Sequence, residues 1–280
     1  MVIRTEKIIL IMKKVLLFCF IIASCLQLKA QYVYGTTGLL HMPTAEMQKD
    51  KTFLFGGSYL DVAATPNHWK YHTFNYYINL TFFPWLEIGY TLTLHKAEYG
   101  NNYFPQHVWG KYCNQDRSFH GKLRLWKEGW WKTWTPQIVL GANDPSTNDM
   151  LGDPNKPDYG ITATSSVGNG HWNRYYIAAT KHIDCNNIGN LGIHVAYVYN
   201  KRFDYHLNGP CVGTNFRFNL PTESIYLKAI NGLNLMAEYD SRTINIGGSY
   251  SIWKDHINII AEMTECKHFS GGIFFKVHLK

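Results

Sequence analysis

The sequence predicts an antiparallel transmembrane β-barrel of about 12 strands, on three observations. Residues 71–95 alternate apolar and polar side chains with period two on both sides of a turn at Pro84. The chain opens with the layout of an export signal. Beyond residue 30 no run approaches the roughly 18 consecutive apolar residues that a helical span needs. An exported, aromatic-rich chain without helical spans leaves a closed barrel or a secreted sandwich.

The first element is the signal, assigned to residues 1–30. Met12, Lys13 and Lys14 give a positive start, Val15 to Ser24 an apolar core, and Leu28-Lys29-Ala30 a small-residue ending before Gln31. The residues before Met12 add nothing the signal needs, so translation is expected to start at Met12. A second reading places a lipobox at Ile22-Ala23-Ser24-Cys25, with Cys25 lipidated. Both readings take the product out of the cytoplasm. Residues 31–51 form a short N-terminal segment and 52–280 the barrel.

In the first hairpin Phe74, Tyr76, Ile78, Leu80 and Phe82 fall on one face and Thr73, Asn75, Tyr77, Asn79 and Thr81 on the other. After the turn, Leu86, Ile88, Tyr90, Leu92 and Leu94 oppose Glu87, Gly89, Thr91, Thr93 and His95. Strands of about 10 residues match a tilted crossing of a bilayer. Further strands are expected near Thr52 to Asp61, Ser118 to Lys127, Pro136 to Asn143, Asn173 to Ile183, Asn190 to Tyr199, Cys211 to Asn219, Leu233 to Asp240, Thr243 to Ile252, His256 to Thr264 and Ser270 to Leu279. Short turns at 83–85, 127–135, 184–189 and 253–255 alternate with longer connections at 96–117, 144–172 and 200–210, the asymmetry of outer-membrane barrels. Leu220 to Gly232 breaks the rule, and Pro221-Thr222-Glu223-Ser224 there is read as the start of a short rim helix.

Composition agrees. Charged residues are only 17% and aromatics reach 15%, where a soluble domain carries about 25% charge. The net charge of +7 is scattered, without the basic stripe of a nucleic-acid binder. Basic side chains suit lipopolysaccharide phosphates, an acidic glycan or plain solvation. Cys113, Cys185, Cys211 and Cys266 remain after signal removal, without a C-x-x-C; pairing, for instance Cys113 with Cys211, and four free thiols are both open.

Residues 35–46, Gly-Thr-Thr-Gly-Leu-Leu-His-Met-Pro-Thr-Ala-Glu, resemble the start of YjbH-type proteins, exported bacterial proteins linked to exopolysaccharide production. The motif residues are Gly35, Gly38, Leu39, Pro43, Thr44 and Ala45. Similar patches follow at 121–129, 136–144, 176–181 and 236–240. The chain departs from the pattern after Asp144, where Pro145-Ser146-Thr147 replaces an expected Gly-Thr-Gly. The resemblance implies an outer-membrane location and a part in extracellular polysaccharide assembly or passage, and it transfers no catalytic residues. Outer-membrane lipid, the polysaccharide and other export proteins are the implied partners.

No catalytic, metal or cofactor site is expected. There is no G-x-S-x-G or H-E-x-x-H; His95, His120, His182 and His194 are the candidate bases if a rim hydrolase exists, and Glu87, Glu238 and Glu262 the candidate glycosidase carboxylates. The loop carrying Asp144, Asp149, Asp153 and Asp158 lacks EF-hand spacing and reads as a solvated turn region. Glu87, Lys122, Arg124, Arg217, Glu238, Glu262 and Lys276 oppose the apolar faces of their strands. Lys or Arg on a lipid face costs about 2–4 kcal/mol at the midplane, so these charges are expected to point into the lumen. There they contact a glycan or ion, or neutralise one another and fill the barrel. Gly35 to Glu46, Gly-rich and without strand alternation, is the candidate plug. The expected function is non-enzymatic support of exopolysaccharide production or secretion, against two rivals: a barrel enzyme acting on lipid or glycan, and a structural or adhesive barrel.

Overall fold

The computed structural model describes residues 35–102, 104–149, 155, 158–162, 172–202, 207–221, 229–253 and 255–279. The signal, Met12, Cys25, Asp153 and most of the stretch read as a rim helix lie outside them.

Twelve antiparallel strands close into one barrel. They are β1 (Thr52–Leu60), β2 (Thr73–Thr81), β3 (Leu86–Lys96), β4 (Tyr112–Trp126), β5 (Gln137–Asn143), β8 (Arg174–Asp184), β9 (Gly189–Tyr199), β10 (Gly209–Phe218), β11 (Leu233–Tyr239), β12 (Ile244–Ile252), β13 (Ile257–Thr264) and β14 (His268–His278). Each pairs with its neighbours in sequence; the two-residue strands β6 (Asn148–Asp149) and β7 (Asp158–Tyr159) form a separate hairpin in the β5–β8 connection. Pairing of β1 with β14, from Thr52 opposite His278 to Tyr59 opposite Gly271, closes the ring and removes both edges.

The polarity is inside-out. On β2 the polar row Thr73, Asn75, Asn79 and Thr81 is buried, together with Tyr77, while Phe74, Tyr76 and Ile78 are exposed. β3 buries Glu87, Thr91 and Thr93 and exposes Ile88. The same holds around the ring, with Ile177, Ile193, Val212, Leu235, Ile246, Ile259 and Ile273 all turned outward. A barrel in water would invert this; an apolar coat over a polar interior suits a hydrocarbon surround. No helix among the described residues is long and apolar enough to cross a membrane.

The two ends differ. One carries the turns at 82–85, 127–136, 185–188 and 253–256, with exposed Phe83, Trp85, Trp130, Trp131, Trp134 and Trp253. The other carries the connections at 61–72, 97–111, 144–173 and 200–208, below which Tyr76, Tyr197, Tyr199 and Tyr239 lie on the outer wall. β4 starts at Tyr112 rather than near Ser118, because cross-strand bonds to β3 continue past the apolar belt to Lys96. The four cysteines are unpaired: Cys113 and Cys266 are exposed, Cys185 is half-buried, and Cys211 faces inward on β10.

Candidate functional site: the occupied lumen

A barrel of eight strands is about filled by its own side chains, and twelve enclose more space than inward side chains occupy. Residues 35–48 take that space, and every one of them is buried. Gly38 and Pro43 make an isolated antiparallel bridge, and the Leu39 N–H donates to the Met42 carbonyl at 3.3 Å, so the segment turns tightly at 39–42. Its two arms meet residues at the short-turn ends of β3, β4 and β10, while its tip reaches Glu238 and Glu262 near the far ends of β11 and β13. The segment is therefore a hairpin plug inserted from the short-turn end.

The tip is held by a carboxylate. Glu238 accepts the backbone N–H groups of Leu40 (2.9 Å), His41 (2.6 Å) and Met42 (3.2 Å), so three successive amides form a nest around one anion. The His41 imidazole bridges Asp240, with Nδ1 at 3.3 Å, and Glu262, with Nε2 at 2.8 Å. Arg174 donates to the His41 carbonyl at 3.1 Å. Asp240 sits in the β11–β12 turn; burial pushes its carboxyl up, but the His41 imidazole, the Thr243 N–H and the Asn245 amide outweigh burial and hold it well below the usual carboxylate range. His41, Glu238 and Asp240 could together face a metal ion. Their oxygens are committed instead to the plug amides, to the N–H groups of Arg242 and Thr243, and to Asn245.

The arms are held by opposite charges. Glu87 on β3 accepts the Thr37 N–H (2.9 Å) and hydroxyl (2.7 Å), and Asn79 donates to it at 3.0 Å. Lys122 donates to the carbonyls of Thr37 and Glu46, the latter at 3.0 Å, and Gln137 donates to the Ala45 carbonyl. The Thr180 hydroxyl accepts the Ala45 N–H at 3.0 Å. Glu46, the plug's own acid, pairs with Arg217 at 2.7 Å and His182 at 3.0 Å. His182 reaches on to Glu128 in the β4–β5 turn at 2.7 Å, and Lys181 joins it at 2.8 Å. Burial pushes the Glu128 carboxyl up, but the bonds from His182 and Lys181 outweigh it and bring its pKa down to about 2. In the β5–β8 connection, burial and the neighbouring Asp116 push Asp144 up to about 7.

The apolar face of the plug is also seated. Leu39, Leu40, Met42 and Met47 are fully buried among Leu54, Val139, Tyr176, Met236, Ile260 and Phe274. A Cβ built at Gly213 would lie 2.5 Å from Leu39 Cδ1 and 2.7 Å from Met42 Sδ, so β10 is hollowed where the tip rests.

Of the seven charges expected in the lumen, Glu87, Lys122, Glu238, Glu262 and Lys276 are buried inside, and Arg217 is largely so. Arg124 is half-buried next to Glu87, and Lys276 is bound to Asp255 at 3.0 Å beneath the plug. Glu87, Lys122 and Glu238 bond the plug backbone rather than each other, which no spacing in the sequence displays. His41, Arg174, His182, Asp240 and Glu128 complete the network. His41 lies inside the opening motif, Glu128 and Asp240 inside the later similar patches, and His182 is among the histidines read as candidate bases.

A closed antiparallel barrel, apolar outside and polar within, whose own N-terminal hairpin fills the lumen, is the class of molecule that these observations define. Residues 30–148 match the family model described as "Exopolysaccharide biosynthesis protein YbjH", so that stretch is similar to YjbH-type proteins. An uncharacterized lipoprotein YjbH of Escherichia coli (strain K12) is 30% identical over 116 residues, which are 41% of this chain. The match spans 14% of that relative's length. A triple mutant of Rh. blastica porin aligns with 82% of this chain and 75% of its own at 8% identity, with a TM-score of 0.28, too low for the two folds to be equated.

Proposed function

We propose that this chain is a bacterial outer-membrane barrel, exported by a cleaved signal peptide, that supports exopolysaccharide production or secretion and is itself no enzyme. The observation that carries the reading is the YjbH-type match over residues 30–148, which includes the plug and β1 to β5. The inside-out polarity of the wall supports the membrane location. The lumen bears on the mode of action: residues 35–48 lie buried inside it, so a conduit role calls for the hairpin to withdraw. An accessory role requires no such step, and loops and rim then contact the polymer or its export machinery. The lumenal pair Thr180 and His194, 2.9 Å apart, has its hydroxyl engaged by the plug, which speaks for structure rather than hydrolysis there.

The test is deletion of the gene in its own bacterium, followed by complementation with the full chain. The expected result is loss of extracellular polysaccharide with an unchanged lipid profile, restored by a chain that fractionates with the outer membrane. Unchanged polymer, or altered lipid acylation, would overturn it.

A further inference from the structure

The outward face of the barrel strands is almost free of charge. Among the described outward-facing strand residues, charge occurs at Lys96, Arg117 and Lys181. Lys181 is tied to Glu128, and Lys96 lies 6.0 Å over the Tyr112 ring. Arg117 is exposed, and its side chain has neither a hydrogen bond nor an ion pair among the described residues.

Its position is specific. Arg117 stands opposite Leu92, which stands opposite Tyr76, so the three form one row across β4, β3 and β2 near the long-connection end. The next outward row toward the barrel centre is Phe119, Tyr90 and Ile78, wholly built from apolar bodies. On the other side of Arg117 polar groups enter the wall between apolar ones: Gln115, opposite Leu94, donates to the Tyr76 hydroxyl, and Lys96 lies over the Tyr112 ring. Arg117, Gln115, Asn114, Tyr112, Cys113 and Leu94 line an open cleft of about 350 Å³. The guanidinium thus sits where a wholly apolar belt gives way to a wall that mixes Gln115, Asn114 and Lys96 with apolar side chains, the level of lipid headgroups. A fork of N–H donors there matches a phosphate, and the rows below it match acyl chains.

We propose that this cleft seats the phosphate-bearing headgroup of a glycolipid of the outer leaflet, with Arg117 as its cation and the Ile78, Tyr90 and Phe119 row beneath its acyl chains. The proposal rests on the membrane reading given above, and the long connections place the cleft at the outer leaflet. The Arg117 side chain bonds nothing among the described residues, so its replacement should leave the fold intact.

The experiment is reconstitution of the mature chain in nanodiscs of zwitterionic lipid doped with a bis-phosphorylated lipid A, with retained lipid counted by native mass spectrometry. Arg117→Gln should retain it with about tenfold weaker affinity, as expected for loss of one charge-assisted hydrogen bond, and Arg117→Lys should recover part of the loss. Dephosphorylated lipid A should bind the wild type no better than the variant. Inorganic phosphate at millimolar concentration should not compete; full competition would overturn the lipid assignment in favour of a free anion. Equal retention by wild type and Arg117→Gln, both inserted and heat-modifiable, overturns the proposal alone. A wild type that fails to enter the bilayer overturns the membrane reading and this proposal with it.

Discussion

Glu238 shows how a buried acid can be structural without an ion partner of its own. The amide N–H groups of Leu40, His41 and Met42 converge on it, while the turn bond inside the hairpin is made by the Leu39 N–H. Each orphaned buried donor costs about 1–3 kcal/mol, so Glu238→Ala should loosen the tip by roughly 3 kcal/mol or more. The reading is hydrogen exchange: amides of Leu40, His41 and Met42 should exchange about a hundredfold faster in the variant, with β-strand amides unchanged. Unaltered protection at those three positions would show that the apolar seat alone holds the tip. The inward placement of Glu238 was legible, since alternation with Leu235, Ala237 and Tyr239 gives its face. Its partner was not, because a contact between residues 40 and 238 depends on how deep the hairpin reaches into a barrel that local pattern does not describe.

Strands were legible wherever an apolar outer row alternates with an inner one of different character, which covers β1 to β3, β5 and β8 to β14 to within a few residues. The beginning of β4 was not, because Cys113, Gln115 and Arg117 rise above the apolar belt and carry no alternation in hydrophobicity. The β6–β7 hairpin, two residues per strand, offers no periodicity at all. The glycines of β10 and β12 have no role that alternation displays, and the folded wall supplies one. A Cβ at Gly247 would lie 3.0 Å from Leu40 Cδ2, as one at Gly213 would press on Leu39. The β4–β5 turn shows a connection acting on the site. Glu128 folds back onto β8, and through His182 it reaches Glu46 of the plug. Its carboxyl pKa is lowered in the folded chain, to about 2 from about 4.5. The latch is therefore fully present above the unfolded value and is lost as pH falls from about 4.5 through about 2. Exchange protection of the His182 amide, which donates to Glu128 at 2.8 Å, should decline across that window. Glu128→Gln should flatten the decline, and a wild-type profile equally flat would remove the latch from the account.

The whole molecule is a wall and a stopper whose stabilities are separable. Closure of the wall depends on β1 pairing with β14 from Thr52 onward, and none of those bonds involves residues 35–46. Removing Gly35 to Glu46 should leave a folded, heat-modifiable barrel. The stopper buries Leu39, Leu40, Met42 and Met47 completely, each contributing about 1.5–3 kcal/mol, in addition to the Glu87, Glu238 and Arg217 bonds. Spontaneous withdrawal is correspondingly rare, so the wild type should be silent in a planar bilayer. Emptied of its hairpin, a lumen of twelve strands is wide enough for water and ions, and the deletion should give steady single-channel conductance. Glu46→Ala frees one arm while the tip stays on Glu238, so it should flicker between the two levels. Steady current from the deletion would mean that plug release is what turns this barrel into a passage. Silence from a demonstrably folded deletion would mean that the long connections fill the vacated lumen, and polymer handling would then belong to the rim and outer wall.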